Sequence, residues 1–366
     1  MNRRHFFKGL LGAAAVVAAR PREASASTPP SDQLFHIPEA FASPVLESLR
    51  PVIEESRDVK TDISKIVEHS RWLACEELPI TKFALPFGIG RENPKEAIDY
   101  LLVANVLNFA FTDFETQVKF QADYSGQHWS DSQAMFACIK RALDEEVPFL
   151  GGAYLSRVTR ADLKHVFRGN IEMPMLDERV EILQAVGQTL EADYDGRFYN
   201  FVEAAAPRLY ADGQGLIDKL VREFPRFNDV SPYAGHEIKL YKLAQLGIWT
   251  VYSALHGSNT FRLEDPEKIT AFADYIVPVA LEAMGILIYS PALKERIENH
   301  KMIPANSPQE VEIRAHTLYA TALLAEEINK RRPADRQIII PQIDARLWTH
   351  FHTTFCPHHL TRTIMY

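Results

Sequence analysis

Cysteine is scarce: the 366 residues hold three, Cys75, Cys138 and Cys356, widely separated along the chain. They form neither a disulfide framework nor a pair of thiolate metal ligands. Glycine is sparse too, at 16 residues, and runs of alternating apolar and polar residues are few, whereas long segments of helical period are common. These features predict a mainly α fold with a few short strands. Beyond the amino terminus no segment is long and apolar enough to span a bilayer, so the mature chain is expected not to be membrane-embedded. The patterns G-x-S-x-G, H-E-x-x-H and C-x-x-C and the P-loop are absent. Gly88-Ile89-Gly90 lacks the third glycine and the flanking strand of a dinucleotide site. The common motif-bearing enzymes are thereby disfavoured, and no cofactor is implied.

With 46% hydrophobic residues, the chain can bury a large core. Residues 1–26 read as a twin-arginine export signal: Arg3-Arg4 with Phe6-Phe7, an apolar stretch from Gly9 to Ala19, and Ala24-Ser25-Ala26 as a cleavage site. The expected destination is the periplasm, or the cytoplasm if the signal does not function. Residues 27–43, rich in Ser and Pro as far as Pro38, read as a flexible linker, and residues 44–366 as the folded domain. Loss of residues 1–26 removes five of 40 basic and one of 48 acidic residues, leaving 35 against 47, a net charge of −12. Such a surface repels polyphosphate, so a nucleic-acid polymer is not the expected partner, although a local pocket for one phosphate is allowed. The mature chain is taken as a monomer.

Helices are expected from Asn93-Pro94 through Leu107, over Ser130 to Glu145, Thr159 to Val166, Met175 to Leu190, Leu216 to Phe224 and Leu240 to Leu255. Another is expected around Leu347 and Trp348. Val52 to Ser70 reads as two helices broken at Ser56-Arg57-Asp58-Val59. Thr116 to Tyr124 allows a short strand ending at the Ser125-Gly126 turn. Ser307-Pro308-Gln309-Glu310 has the form of a capping box with proline at the first helical position, starting a helix that runs to Ile328.

Chemistry centres on the segment around Asp274. Ile269, Phe272, Ala273, Ile276, Val277, Ala280 and Met284 recur at helical spacing, which predicts a helix kinked by Pro278 with Asp274 at the bend. That aspartate could equally be solvated or an N-cap. Asp274, Glu310, Glu312 and Asp344 are the carboxylates that distant helices could bring together for glycosidic chemistry. His350, His352, His358 and His359 form a local cluster, read as surface or phosphate-facing side chains more readily than as a metal site.

Eight ordered stretches carry a resemblance. They are Ser56-Arg57-Asp58-Val59, Leu107-Asn108-Phe109-Ala110-Phe111, Arg141-Ala142-Leu143-Asp144-Glu145, Met173-Pro174-Met175, Tyr241-Lys242-Leu243-Ala244-Gln245, Phe272-Ala273-Asp274-Tyr275, Glu310-Val311-Glu312-Ile313-Arg314, and His359 to Tyr366. Together they resemble the queuosine 5′-phosphate N-glycosylase/hydrolase family. The resemblance implies a fold similar to helix-hairpin-helix DNA glycosylases. It also implies hydrolysis of queuosine 5′-monophosphate, or a related 7-deazaguanine nucleotide, to release queuine for salvage. Asp274 would lie at the glycosidic bond, Phe272 and Tyr275 would help bind the base, and Asp344 would contact it. Lys242 would serve a phosphate or hold Asp274 ionised, and Arg314, His359 and Arg362 would be further substrate-binding residues. The alternatives are core packing for Phe272, a surface charge for Lys242 and an ion pair with Glu310 for Arg314. The chain departs from the family where it carries Pro86, Thr250 and Thr349. An exported binding protein for a modified purine base or nucleotide is the other reading.

Overall fold

The computed structural model describes residues 35–80, 89, 93–352, 354 and 356–366. The expected signal and Pro86 lie outside these residues. The described part is mainly helical and built around one 22-residue helix, Pro308–Asn329. That helix is buried on nearly every side from Glu310 to Ala325, and the polar side chains of its first half, Glu310, Glu312, Arg314 and His316, are buried with hydrogen-bond partners. Its start matches the expected cap: Ser307 Oγ accepts from Glu310 N at 3.4 Å and Pro308 occupies the first turn. The Glu310 carboxylate reaches back to the amide of Asn306, at 3.1 Å, one residue before the cap. Ile63–Leu73, Arg50–Glu55, Val277–Ala283 and Ile340–Phe351 pack around it. Beside this group Pro94–Val106 lies against Lys242–Leu255. Gly247 makes that contact close, since a Cβ there would stand 3.2 Å from Leu102 Cδ2.

Three antiparallel strand pairs complete the described residues: Val59–Thr61 with Leu287–Tyr289, Gln121–Tyr124 with Gln127–Ser130, and Val230–Tyr233 with His236–Lys239. The second confirms the expected Ser125-Gly126 turn, both of whose residues have positive φ (53° and 72°), as two-residue hairpin turns require. The strand occupies only the end of the expected stretch, and its partner, Gln127–Ser130, went unread. At the break expected over Ser56 to Val59, buried Glu312 accepts from the amides of Arg57 (3.2 Å), Asp58 (2.7 Å) and Val59 (3.0 Å) and from the Tyr233 hydroxyl (2.8 Å).

Two expectations need correction. Residues 35–43 are packed rather than a free linker: Phe35 and Phe41 are buried, and Phe35 stacks on Tyr319 with ring centroids 5.4 Å apart. Residues 269–276 are an extended loop rather than the first half of a kinked helix; the helix is Val277–Ala283. Pro278 therefore sits in a first turn, where a missing N–H breaks no hydrogen bond. The apolar residues that looked helical are buried from a loop instead.

Candidate active site

The loop that carries Asp274 runs between helices and makes little backbone pairing of its own beyond Asp274 N to Phe272 O (2.6 Å), so buried side chains do most of the pairing. Gln245 Oε1 accepts from the Thr270 amide (2.9 Å) and hydroxyl (3.1 Å), while its Nε2 donates to Leu240 O. Asp344 Oδ2 accepts from Phe272 N at 2.9 Å. Arg314 Nε donates to Ala273 O at 3.1 Å. Asp274 itself accepts from Ile276 N (2.8 Å) and Val277 N (3.2 Å), tying the loop to the helix that follows. Three helices thus fix the position of one carboxylate.

Asp274 faces a cavity of about 290 Å³. Lys242, Phe272, Tyr275 and Asp344 line the same space, so five of the eight residues named from sequence come together there. Lys242 is buried rather than a surface charge, and burial pushes its ammonium down to about 8 against the opposing pull of Asp274. Burial raises the Asp274 carboxyl above its usual range, opposed by Lys242 and by the two amides it binds. Asp344 is raised well above the usual range: burial dominates, the charge of Asp274 adds to it, and the Phe272 amide and the more weakly acting Lys242 oppose. A cation and two N–H donors favour the anion of Asp274 more than that of Asp344, so of the two carboxyls facing one cavity Asp344 is the one pushed further toward its protonated form.

Aromatic residues supply much of the remaining wall. Trp249, Trp348, Phe109 and Tyr366 line the cavity and were not singled out from sequence. Trp249 precedes the flagged Thr250, and Trp348 precedes Thr349, so the marker lay one residue away. Both threonines also line the cavity. Thr250 is already engaged, donating to Gly247 O (2.8 Å) and accepting from Asn105 Nδ2 (3.0 Å).

A second cavity, about 220 Å³, adjoins the first and shares Tyr275, His352 and Tyr366 with it. Lys119, His358 and His359 also line it. His359 is buried beside the Tyr366 hydroxyl (3.2 Å), and burial drives its imidazole down to about 3, so it is neutral. His358 lies tilted against Tyr275 at 4.5 Å, and His352 stacks on Trp348 at 4.2 Å. The histidines thus face different rings, and among the described residues no three His, Cys, Asp or Glu side chains converge as metal ligands.

Two named residues line neither cavity. Arg314 is buried, its guanidinium bound to Asp229 (2.5 and 3.1 Å) and to Glu310 (3.4 Å) and lying 4.7 Å from the Tyr366 ring. The expected pair with Glu310 is present, and four of the five N–H groups are taken by Ala273 O, Asp229 and Glu310; Arg314 holds the Asp274 loop and lines neither cavity. Arg362 is exposed, pairs with Glu178 at 3.0 Å and lies over Phe114.

Known proteins extend this picture. The family model for the queuosine salvage protein matches residues 89–366. The chain is 35% identical over 327 residues to a queuosine 5′-phosphate N-glycosylase/hydrolase of Sphaerobacter thermophilus, covering 88% of this chain and 97% of that protein. A protein of the same name from Bos taurus is 30% identical over 337 residues, 87% of this chain and 98% of the relative. For one from Schizosaccharomyces pombe the values are 30% over 246 residues, 64% and 70%. A matching model over most of the chain and end-to-end similarity to such relatives lead to one conclusion: the chain belongs to the queuosine salvage protein family.

Proposed function

We propose that the chain hydrolyses the N-glycosidic bond of queuosine 5′-monophosphate or a related 7-deazaguanine nucleotide, releasing the base. The observation that carries this reading is the pair Asp274 and Asp344 facing one aromatic-walled cavity with Lys242, where the surroundings favour the anion at Asp274 and the proton at Asp344. The base lies among Phe272, Tyr275 and the tryptophans, where flat rings give contact area at little entropic cost. As the C1′–N9 bond breaks, positive charge builds on the sugar, and Asp274 stabilises it and orients the attacking water. At about 4 Å and an effective dielectric near 20, one carboxylate is worth roughly 4 kcal/mol, on the order of a thousandfold in rate. Water delivers hydroxyl to C1′, and the base leaves to be protonated. Asp344, carrying its proton, hydrogen-bonds the base, and Lys242 keeps Asp274 ionised.

The phosphate belongs in the adjoining cavity, where Lys119, paired with Asp131 at 3.1 Å, and His352 and His358 line the wall and would turn to it. His359, neutral and held by Tyr366, serves there as a hydrogen-bonding wall rather than a cation, and Arg362 acts at most from outside. The decisive assay incubates purified protein with queuosine 5′-monophosphate and follows free queuine by chromatography. Release is expected; recovery of intact nucleotide at high enzyme concentration would instead leave a binding protein.

Export rests on residues 1–26 alone. Among the described residues no helix is long and apolar enough to cross a membrane. Cell fractionation with and without Arg3→Lys, Arg4→Lys should move the protein from periplasm to cytoplasm. A distribution unaffected by those changes removes the export reading. A monomer is the working reading, to be checked by light scattering.

A further inference from the structure

Two arginines behind the cavity wall are buried without an ion pair. Arg179 is fully buried and Arg226 is 6% exposed. Arg179 donates to the main-chain oxygens of Pro174 (2.9 Å), Leu107 (2.6 Å), Phe109 and Ala110 (2.9 Å). Arg226 donates to Val106 O at 2.7 Å and contacts Met365 Sδ at 3.9 Å, and its Nη2 has no partner. Among the described residues neither guanidinium is bound by a carboxylate. Asp229 and Glu178 act on them only through space, and those acids are bound to Arg314 and Arg362.

Burying a cation without a counter-charge is expensive. Neutral amides could hold the same carbonyls, so the charge is the feature to be explained. Burial lowers both groups to about 9, which leaves them charged at neutral pH. Both stand against one ring of the cavity wall: Phe109, 4.1 Å from the Arg179 guanidinium and 4.7 Å from that of Arg226.

The proposed substrate gives that charge a use. A purine can leave after protonation at N7, but a 7-deazaguanine has carbon at that position. Its base must depart with the C1′–N9 electron pair and carry negative charge until a proton arrives. Asp274 answers the cation on the sugar side only. We propose that Arg179 and Arg226, bound by no carboxylate, hold positive charge behind the Phe109 wall and stabilise the departing base anion, without touching it. The inference rests on the hydrolase reading above. The two aspects are complementary: negative charge beside the sugar, positive charge behind the base.

The test compares full-length wild type, Arg226→Met and Arg226→Lys on two nucleotides with different leaving bases. One is queuosine 5′-monophosphate; the other is the 5′-monophosphate of 7-cyano-7-deazaguanosine, whose nitrile already delocalises the negative charge. Arg226→Met should lose about tenfold in kcat on the first and no more than about threefold on the second, with KM little changed, and Arg226→Lys should recover most of the loss. A merely structural arginine would lower both substrates equally, and equal losses or none overturn the proposal. A measurement on wild type avoids any folding defect of the variants: ultraviolet titration of bound 7-cyano-7-deazaguanine should show its ring N–H ionising at lower pH than free in solution. A bound base that ionises at the same or higher pH also overturns the proposal. Wild type that releases no base from either nucleotide overturns the hydrolase reading itself, and this inference with it.

Discussion

Glu312 and Asp344 are both buried carboxylates, yet they stand in opposite situations. Glu312 accepts four hydrogen bonds, three of them from consecutive amides, and closes the break between two helices. Asp344 accepts one, from Phe272, and turns the rest of its capacity toward a cavity that it shares with Asp274. The donor count separates a carboxylate that holds structure from one left available to a ligand. Both regions carried residues of the family resemblance, so the resemblance alone does not distinguish them.

The comparison can be broken most sharply at Asp274. Asp274→Asn should cost at least about a thousandfold in kcat while the melting temperature stays nearly unchanged. Full activity in that variant would refute the mechanism. Glu312→Gln should do the reverse: a loss of about 2–3 kcal/mol in denaturant unfolding, because one or more amides lose a charged acceptor, with kcat per folded molecule unaltered. A Glu312→Gln protein that is stable but inactive would erase the distinction. Asp344→Asn should fall between them, losing about tenfold in kcat/KM, because the amide imitates a neutral carboxyl better than alanine does.

The pH profile tests the partnership with Lys242. Activity needs Asp274 ionised and Lys242 protonated, so it should decline as pH rises through about 8 and also as pH falls through the raised Asp274 value. In Lys242→Met the alkaline limb should vanish and the acid limb move upward, since Asp274 loses the charge that favours its anion. An unchanged profile would assign Lys242 to structure. The smallest effect is expected for Arg362→Ala, whose exposed pair with Glu178 is worth no more than ~1 kcal/mol and whose guanidinium lines neither cavity. Its KM should change less than about threefold; a larger rise would return Arg362 to the phosphate.

Elements with local signals were legible in the sequence. Ser307-Pro308, Asn93-Pro94 and Thr159 mark helix starts through side-chain caps, and the structure has a helix at each. The loop at Asp274 was not legible, because burial of Ile269, Phe272 and Ala273 from a loop produces the same apolar spacing as a helix face. The Val59–Thr61 and Leu287–Tyr289 pair was invisible for another reason: its strands are three residues long and more than 200 residues apart. Asp274, Asp344, Lys242, Phe272 and Tyr275 were found through the resemblance, while Trp249, Trp348 and Tyr366 needed the folded chain to bring them to one wall. Arg314 illustrates the limit. Its partner Glu310 was visible one turn away, but Asp229, 85 residues earlier, was not.

The cross-ties on the Asp274 loop have a consequence for protein engineering. Thr270 to Tyr275 are held in shape largely by Gln245, Arg314 and Asp344, which reach in from separate helices. The six residues are therefore not a portable motif. Grafted onto another scaffold they would bring the aspartate without its geometry, and the smallest transferable unit is the loop together with its three anchoring helices.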